Sequence, residues 1–413
     1  MPPLWKVIVN RDIAPINAPR YTWHVPAALI LAMWASILST DLYTPSLPEL
    51  DQVFGTTDRA VKLTMSVNFL GYALGPLLVG PLADHFGRRR VLGIGLGLFA
   101  LLSMLCAVAP DIWTLIALRG LQGACGSVAS VLCVVLIRDL FRGPEAVKVL
   151  SLYGASIGIA PAIGPLLGGI VHVWAGWWAN FVLLSILGAI AAAMVWRVIP
   201  EGGGGAPFTL RLSLRRYRRL LRNTVFLRFA LAIGATFAGL FAYITVGPYL
   251  FIERFGIATE DYGFYYGASV IAYIVGAAVA NRLADRVSAL TLTKTGAVFG
   301  IAGAVVFLDI TVTHALTAMS MLAAMSLFSL GLGILFAAAP VLMFANVPKA
   351  LGATAGVLFS IGQSAGAAMG AGAVALLHDD RPEVLAVVML CFALFAAVLV
   401  FAGPVDEPDF TAE

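Results

Sequence analysis

GIAPAIGPLLGG, residues 158–169, lies inside an apolar segment, about 148–172, that is long enough to cross a bilayer. Glycine and proline form poor helices in water. A membrane helix tolerates them where neighbouring helices satisfy the backbone. Gly158, Gly164, Gly168 and Gly169 strip side chains from one face and let a second helix approach closely. Pro161 and Pro165 add a tendency to bend. Read alone, this is small-residue packing; it also suits a helix that seals a barrier and moves against a partner.

The surrounding chain has the same character. Its 413 residues are 60% hydrophobic and 12% charged, with a mean hydropathy of +0.93. Soluble domains carry about 25% charge, so this composition excludes a soluble globule or a disordered chain and indicates a polytopic, all-α membrane protein. The net charge of +4 does not indicate nucleic acid, because the basic residues fall in loops between apolar spans. Cys106, Cys125, Cys133 and Cys391 fall inside spans without a C-x-x-C and read as small apolar side chains, so no metal or cofactor is expected. None of Lys62, Lys148, Lys294 or Lys349 follows the glycines of a Walker A loop, so no ATP site is expected on this chain and the protein does not read as an enzyme. The first apolar run, from Val25, lacks an A-x-A cleavage site and reads as a transmembrane helix.

Twelve spans are expected, at about 25–44, 62–82, 91–109, 112–137, 148–172, 177–199, 224–248, 261–283, 291–313, 316–340, 350–377 and 382–402. An even number puts both termini on one side. Of 26 Lys and Arg residues, 21 fall on that side, from Lys6, Arg11 and Arg20 through Arg211 to Lys349. Arg59, Lys62, Arg254 and Arg381 fall on the other, and Arg119 lies within a span. The positive-inside rule then makes both termini cytoplasmic.

Residues 200–223 divide the chain into two six-span parts, 1–199 and 224–413. They read as a flexible start, Gly202–Gly205, and then either an amphipathic basic stretch at the inner leaflet or a linker whose charge sets topology. Leu82-Ala83-Asp84 ends span 2 and Leu283-Ala284-Asp285 ends span 8, at matched places in the two parts, which suggests duplicated halves.

Two charges fall where a membrane penalises them. Asp41 ends span 1; it either faces a cavity or partner, or caps the turn before Tyr43 and Pro45. Desolvation favours the neutral form of such a carboxyl and a nearby cation the charged form, so a group held between them can load and release a proton. Arg119 lies about two turns inside span 4 and needs a partner or water, unless it snorkels outward. Between spans 2 and 3, Gly80, Asp84, Gly87, Arg88, Arg89 and Arg90 form a tight loop more specific than orientation alone requires. Glu253, Arg254, Asp309, Asp379 and Asp380 read as solvated, and His172, His314 and His378 as outer-end histidines without a relay role.

These pieces resemble the major facilitator superfamily. Gly80-x-Leu82-x-Asp84-x-x-Gly87-Arg88-Arg89 matches its loop 2–3 signature, Arg119-x-x-Gln122-Gly123 its helix 4 signature, and Gly158 to Gly169 its helix 5 antiporter signature. Asp41-Leu-Tyr43-Thr-Pro45-Ser-Leu-Pro48, Arg138-Asp139, Phe237 to Phe241, Gly247-Pro248, Ile252-Glu253 and Tyr262 to Tyr266 are similar to the Bcr/CflA branch of drug:proton antiporters. The resemblance covers roughly residues 22–402. It implies two six-helix bundles and alternating access in a bacterial inner membrane, most simply as a monomer. Asp41 would be the proton site and Arg119 its electrostatic partner. Gly80, Asp84, Gly87, Arg88, Arg89 and Asp285 would form a cytoplasmic gate. Gly158, Pro161, Gly164, Pro165, Gly168 and Gly169 would form a seal and hinge. In the second half the loop signature is degraded: Asn281 stands for the first glycine and Val287-Ser288-Ala289 for the Gly-Arg part.

The substrate cavity is expected to use Trp34, Tyr43, Tyr72, Gln122, Tyr153, Phe237, Phe241, Tyr265, Tyr266 and Phe336. Such a pocket suits weakly polar compounds better than sugars. The readings are therefore a proton-coupled exporter of drug-like compounds, a dedicated exporter of a metabolite such as an amino acid or siderophore, or a non-transporting receptor or scaffold. The last has little need of both Asp41 and Arg119.

Overall fold

The computed structural model describes residues 23–202, 204–205, 210–348, 351–377 and 381–403. Lys6, Arg11, Arg20, Gly203, Lys349, His378, Asp379 and Asp380 lie outside them, as does the side chain of Arg211.

The first half comprises α1 His24–Asp41, α2 Asp58–Leu74, α3 Pro76–Phe86, α4 Arg88–Ala107, α5 Ile112–Leu140, α6 Gly143–Ala175 and α7 Trp177–Val198. A linker helix, α8 Leu210–Leu221, leads to α9 Thr224–Pro248, α10 Tyr262–Leu283, α11 Ala289–Val312, α12 Ala318–Ala345, α13 Gly352–Leu377 and α14 Pro382–Phe401. Among the described residues there is no strand. Eleven helical segments are long and apolar enough to cross a membrane, and α2 with α3 makes the twelfth span. Each observed span overlaps the one expected. Leu98, Leu101, Ile186, Ile190, Val298, Val305, Leu394 and Val398 are exposed, a lipid-facing surface rather than a solvated one.

Span 2, expected at about 62–82, is not one straight helix. It bends by 41° between α2 and α3. Pro76 there donates no backbone hydrogen bond. Gly75 lets the bend press against α5: a Cβ would lie 2.6 Å from the Ala124 carbonyl oxygen. Long apolar helices have little in water to drive them together inside lipid, so close backbone approach carries much of the packing. A Cβ at Gly71 would overlap the Gly120 carbonyl, and one at Gly370 the Ala238 carbonyl. Loop residues start the helices: Asp111 accepts from the Trp113 and Thr114 amides, and Thr317 and Ser320 form a capping box. The Asp111 carboxyl, bonded by the Thr114 hydroxyl and these amides, is held below the usual carboxylate range.

The packing is asymmetric along the bundle. At the end away from the arginine-rich loops, one apolar core joins both halves, from Leu42, Tyr43 and Phe69 to Tyr243, Tyr249 and Phe251. At the arginine-rich end each half has its own core, one around Leu132 and Leu136 and another around Phe229 and Leu342. The two halves are thus sealed at one end and separated at the other.

The described residues of the linker's start are tied to the loop between α3 and α4. The Arg88 amide donates to the Gly202 carbonyl at 3.3 Å and the Gly205 amide to the His85 carbonyl at 3.0 Å. Arg90 also meets Glu201 at 3.4 Å. Gly87 makes this loop possible with φ of +96°. In α8, Tyr217 and Leu220 are buried while Arg215, Arg216, Arg218 and Arg219 are exposed, so the helix is amphipathic.

Candidate functional site

A cavity of about 490 Å³ lies between the halves, and among the described residues Asp41 is the one charged residue in its wall. Asp41 is the last residue of α1 and is 4% exposed. Its side chain lies beside Thr40, of its own helix, and Tyr266, from α10 in the other half. Its backbone carbonyl accepts from the Thr44 hydroxyl at 2.8 Å, which closes the turn into the 3-10 segment Thr44–Glu49. The two alternatives for Asp41 therefore coexist: its backbone shapes the turn and its side chain faces the cavity.

Arg119, the expected electrostatic partner of Asp41, forms no ion pair with it. The guanidinium is fully buried. Its Nη1 donates to the Ser39 carbonyl at 2.9 Å and to Gln122 Oε1 at 2.6 Å. Gln122 in turn donates to Ser103 at 2.7 Å. The Tyr43 and Phe181 rings lie 5.0 and 5.7 Å away. The last carbonyls of a helix lack partners and carry partial negative charge. Arg119 satisfies one of them at the end of α1, two residues before Asp41, and so reaches Asp41 through the backbone.

The helix 5 signature packs directly behind the carboxylate. A Cβ on Gly164 would lie 2.5 Å from Asp41 Cβ, and one on Gly168 would overlap the Leu42 carbonyl. Gly169 faces the other half, where a Cβ would sit 2.5 Å from the Thr259 carbonyl oxygen. Gly158 and Pro161 line the cavity, and α6 continues through Pro161 and Pro165 as one helix of 33 residues. Gly168→Val is accordingly expected to destabilise the protein by about 1–3 kcal/mol. Thermal unfolding in detergent reads this, and an unchanged midpoint would mean that α1 and α6 do not meet here.

Tyr72, Phe237, Phe241, Tyr266 and Phe336 line the cavity as expected residues, joined by Phe69, Tyr243 and Tyr273, which the sequence reading did not include. Phe69 and Phe241 meet edge to face across the two halves, 4.4 Å between centroids, and Phe237 continues the aromatic wall to Phe336 at 5.6 Å. Five other expected lining residues stand elsewhere. Tyr43 and Gln122 surround Arg119. Trp34 donates to the Ser156 carbonyl at 3.1 Å, Tyr153 is buried in the first-half core, and Tyr265 packs on Phe251 at 5.1 Å. A burial pattern at helical spacing could not distinguish these neighbours from cavity residues.

At the sealed end, Ser66 donates to the Ala368 carbonyl at 2.9 Å and Tyr249 to the Leu47 carbonyl at 3.3 Å. Lys62, read from sequence as a loop charge, is 1% exposed. It sits 3.6 Å from Asp58 and 4.3 Å from the centroid of Tyr249, which begins a π-helical turn, Tyr249–Arg254. His172 meets Glu49 at 2.8 Å.

At the arginine-rich end a second cavity of about 590 Å³ separates the halves, lined by Gly80, Asp84, Arg88, Arg138, Arg216 and Tyr217, with Phe344 and Ser360 opposite. Arg88 pairs with Asp139 and Arg89 lies 5.3 Å from the Trp196 ring centroid. Asp84 and Asp285 are exposed, and no ion pair forms from either among the described residues.

Two helical bundles enclosing a cavity with one carboxylate, sealed at one end and parted at the other, define a membrane transporter. The sequence matches the Major Facilitator Superfamily over residues 29–371, and the chain belongs to that family. It is similar to a chloramphenicol resistance protein of Pseudomonas aeruginosa, 29% identical and covering 93% of this chain and 92% of that one. A bicyclomycin resistance protein homolog of Haemophilus influenzae is 29% identical over 62% of this chain and 65% of its own. Both of these similar proteins are named for antibiotic resistance. The fold is also that of the xylose transporter XylE from E. coli in a partially occluded inward-open conformation, with a TM-score of 0.72 and 15% identity over 96% of this chain and all of that one.

Proposed function

We propose that the protein exports small, weakly polar or amphipathic compounds, antibiotics among them, in exchange for protons. The observation that carries this reading is Asp41, the one charged residue, among those described, in the wall of a largely apolar central cavity. A carboxyl of one half that faces Tyr266 of the other is a proton site whose occupancy depends on how the halves sit. A proton arriving there competes with substrate; rocking of 1–199 against 224–413, joined through 200–223, exposes the site to each side in turn. The arginine-rich end, with both termini, faces the cytoplasm on this reading, so the state described opens inward at Asp84 and Arg138. Gly80, Asp84, Gly87, Arg88, Arg89 and Asp285 belong to the gate that closes there. Gly158, Pro161, Gly164, Pro165, Gly168 and Gly169 hold α6 close to the proton site and to α10. One chain encloses the whole path, so a monomer suffices.

Proteoliposomes holding a trapped pH dye test this reading. Chloramphenicol, bicyclomycin, lipophilic cations and small amino acids are added under an imposed proton gradient. Proton movement that depends on a drug-like compound is expected. A response to amino acids alone would replace drug export with metabolite export, and no response to any compound would sink the export reading.

A further inference from the structure

The two walls of the central cavity differ in how their polar atoms are satisfied. On the first-half wall, Ser36 donates to the Gly126 carbonyl at 2.9 Å and reaches Tyr72 at 3.1 Å, and Thr40 donates to the Ile37 carbonyl at 2.9 Å. On the second-half wall three polar atoms have no protein partner: the Tyr243 hydroxyl on α9, the Ser269 hydroxyl on α10 and Gln363 Nε2 on α13. Tyr243 is fully buried and Ser269 is 3% exposed. The two hydroxyls are close, yet they do not close a hydrogen bond within ordinary geometry. Ser364, beside Gln363, is satisfied by the Ser360 carbonyl at 3.0 Å. The unpartnered atoms are therefore a selected set from three different helices, not a general property of that wall. A buried polar atom left unpaired costs stability, and three that line one cavity mark a place for a ligand.

We propose that Tyr243, Ser269 and Gln363 form a neutral hydrogen-bonding subsite that takes a hydroxyl or amide group of the exported compound. The two hydroxyls both donate and accept, and the Gln363 amide nitrogen donates. That set matches a hydroxyl or a carbonyl oxygen. It contains no charge and selects none, while Asp41 supplies the only charge of the cavity, among the described residues, from the other half. The aromatic wall from Phe69 to Phe336 holds the apolar remainder. Simultaneous contact with both walls ties substrate recognition to the relative position of the halves. The proposal rests on the export reading.

The test measures equilibrium binding of chloramphenicol, neutral with hydroxyls and an amide, and of tetraphenylphosphonium, which has neither, to the full-length protein in detergent. Tyr243→Phe and Ser269→Ala are each expected to weaken chloramphenicol binding about three- to tenfold, the worth of one hydrogen bond. Tetraphenylphosphonium binding should change less than twofold. The ligand-free thermal midpoint should be unchanged or raised, because each variant removes an unpaired polar atom. Equal weakening of both ligands, or a lowered midpoint, would assign these hydroxyls to packing. Unchanged chloramphenicol binding would overturn the subsite alone, whereas a wild-type protein that binds neither compound would overturn the export reading beneath it.

Discussion

Asp41→Asn is expected to abolish substrate-driven proton movement in proteoliposomes while leaving the folded protein intact. The amide keeps the size of the carboxyl and an acceptor oxygen beside Thr40 and Tyr266. It removes the one carboxyl, among the described residues, from the wall of the cavity. Proton flux on addition of a transported compound should fall at least tenfold, to the level of liposomes without protein. Binding of a neutral compound should remain, because its contacts are the aromatic wall and uncharged polar atoms. Coupling that survives in this variant would remove Asp41 as the proton site. Loss of neutral-compound binding together with flux would instead point to a structural role at the α1–α6 contact, where Gly164 packs against Asp41.

A disulfide placed between Ser66→Cys and Gly372→Cys is expected to stop transport almost completely and reversibly. A Cβ on Gly372 would stand 3.9 Å from that of Ser66, within the range a disulfide spans without distortion. The bond would lie between α2 and α13 at the sealed end, beside the Ser66 hydrogen bond to Ala368. Alternating access requires these helices to part. Oxidised protein should retain less than about a tenth of the reduced activity, with recovery on adding dithiothreitol, given the rigid separation that a closed cross-link prevents. Full transport in the cross-linked state would show that the two halves need not separate there. The four native thiols are free, so the pair is introduced into a chain whose native cysteines are replaced by alanine.

Much of the architecture was legible because the membrane penalises exceptions so heavily. A span must be long and apolar, so twelve runs of the right length could be read directly, and the observed helices overlap every one of them. The same penalty made Asp41 and Arg119 conspicuous. It did not reveal how they relate. Arg119 satisfies the Ser39 carbonyl rather than the carboxylate two residues further on, because a helix end presents unpaired oxygens that no sequence motif advertises. Lys62 is a similar case: a lysine at the edge of a span is ordinarily solvated, and the approach of Asp58 and Tyr249, which no motif announces, helps to permit its burial. The bend at Gly75-Pro76 did have a signal, the proline itself, within the second apolar run.

The amino-acid sequence by itself determined the class of fold, the number of spans, and the two charges within them. These follow from local terms: hydrophobic length, charge in lipid, and the turn chemistry of glycine and proline. The tertiary structure alone decided which aromatic residues see the cavity. Tyr43 and Tyr243 are both buried tyrosines, yet one, in the turn after α1, covers Arg119 and the other, on α9, lines the pocket with an unpartnered hydroxyl. Their difference comes from which neighbours each meets, a property of the whole packed arrangement that no single span encodes.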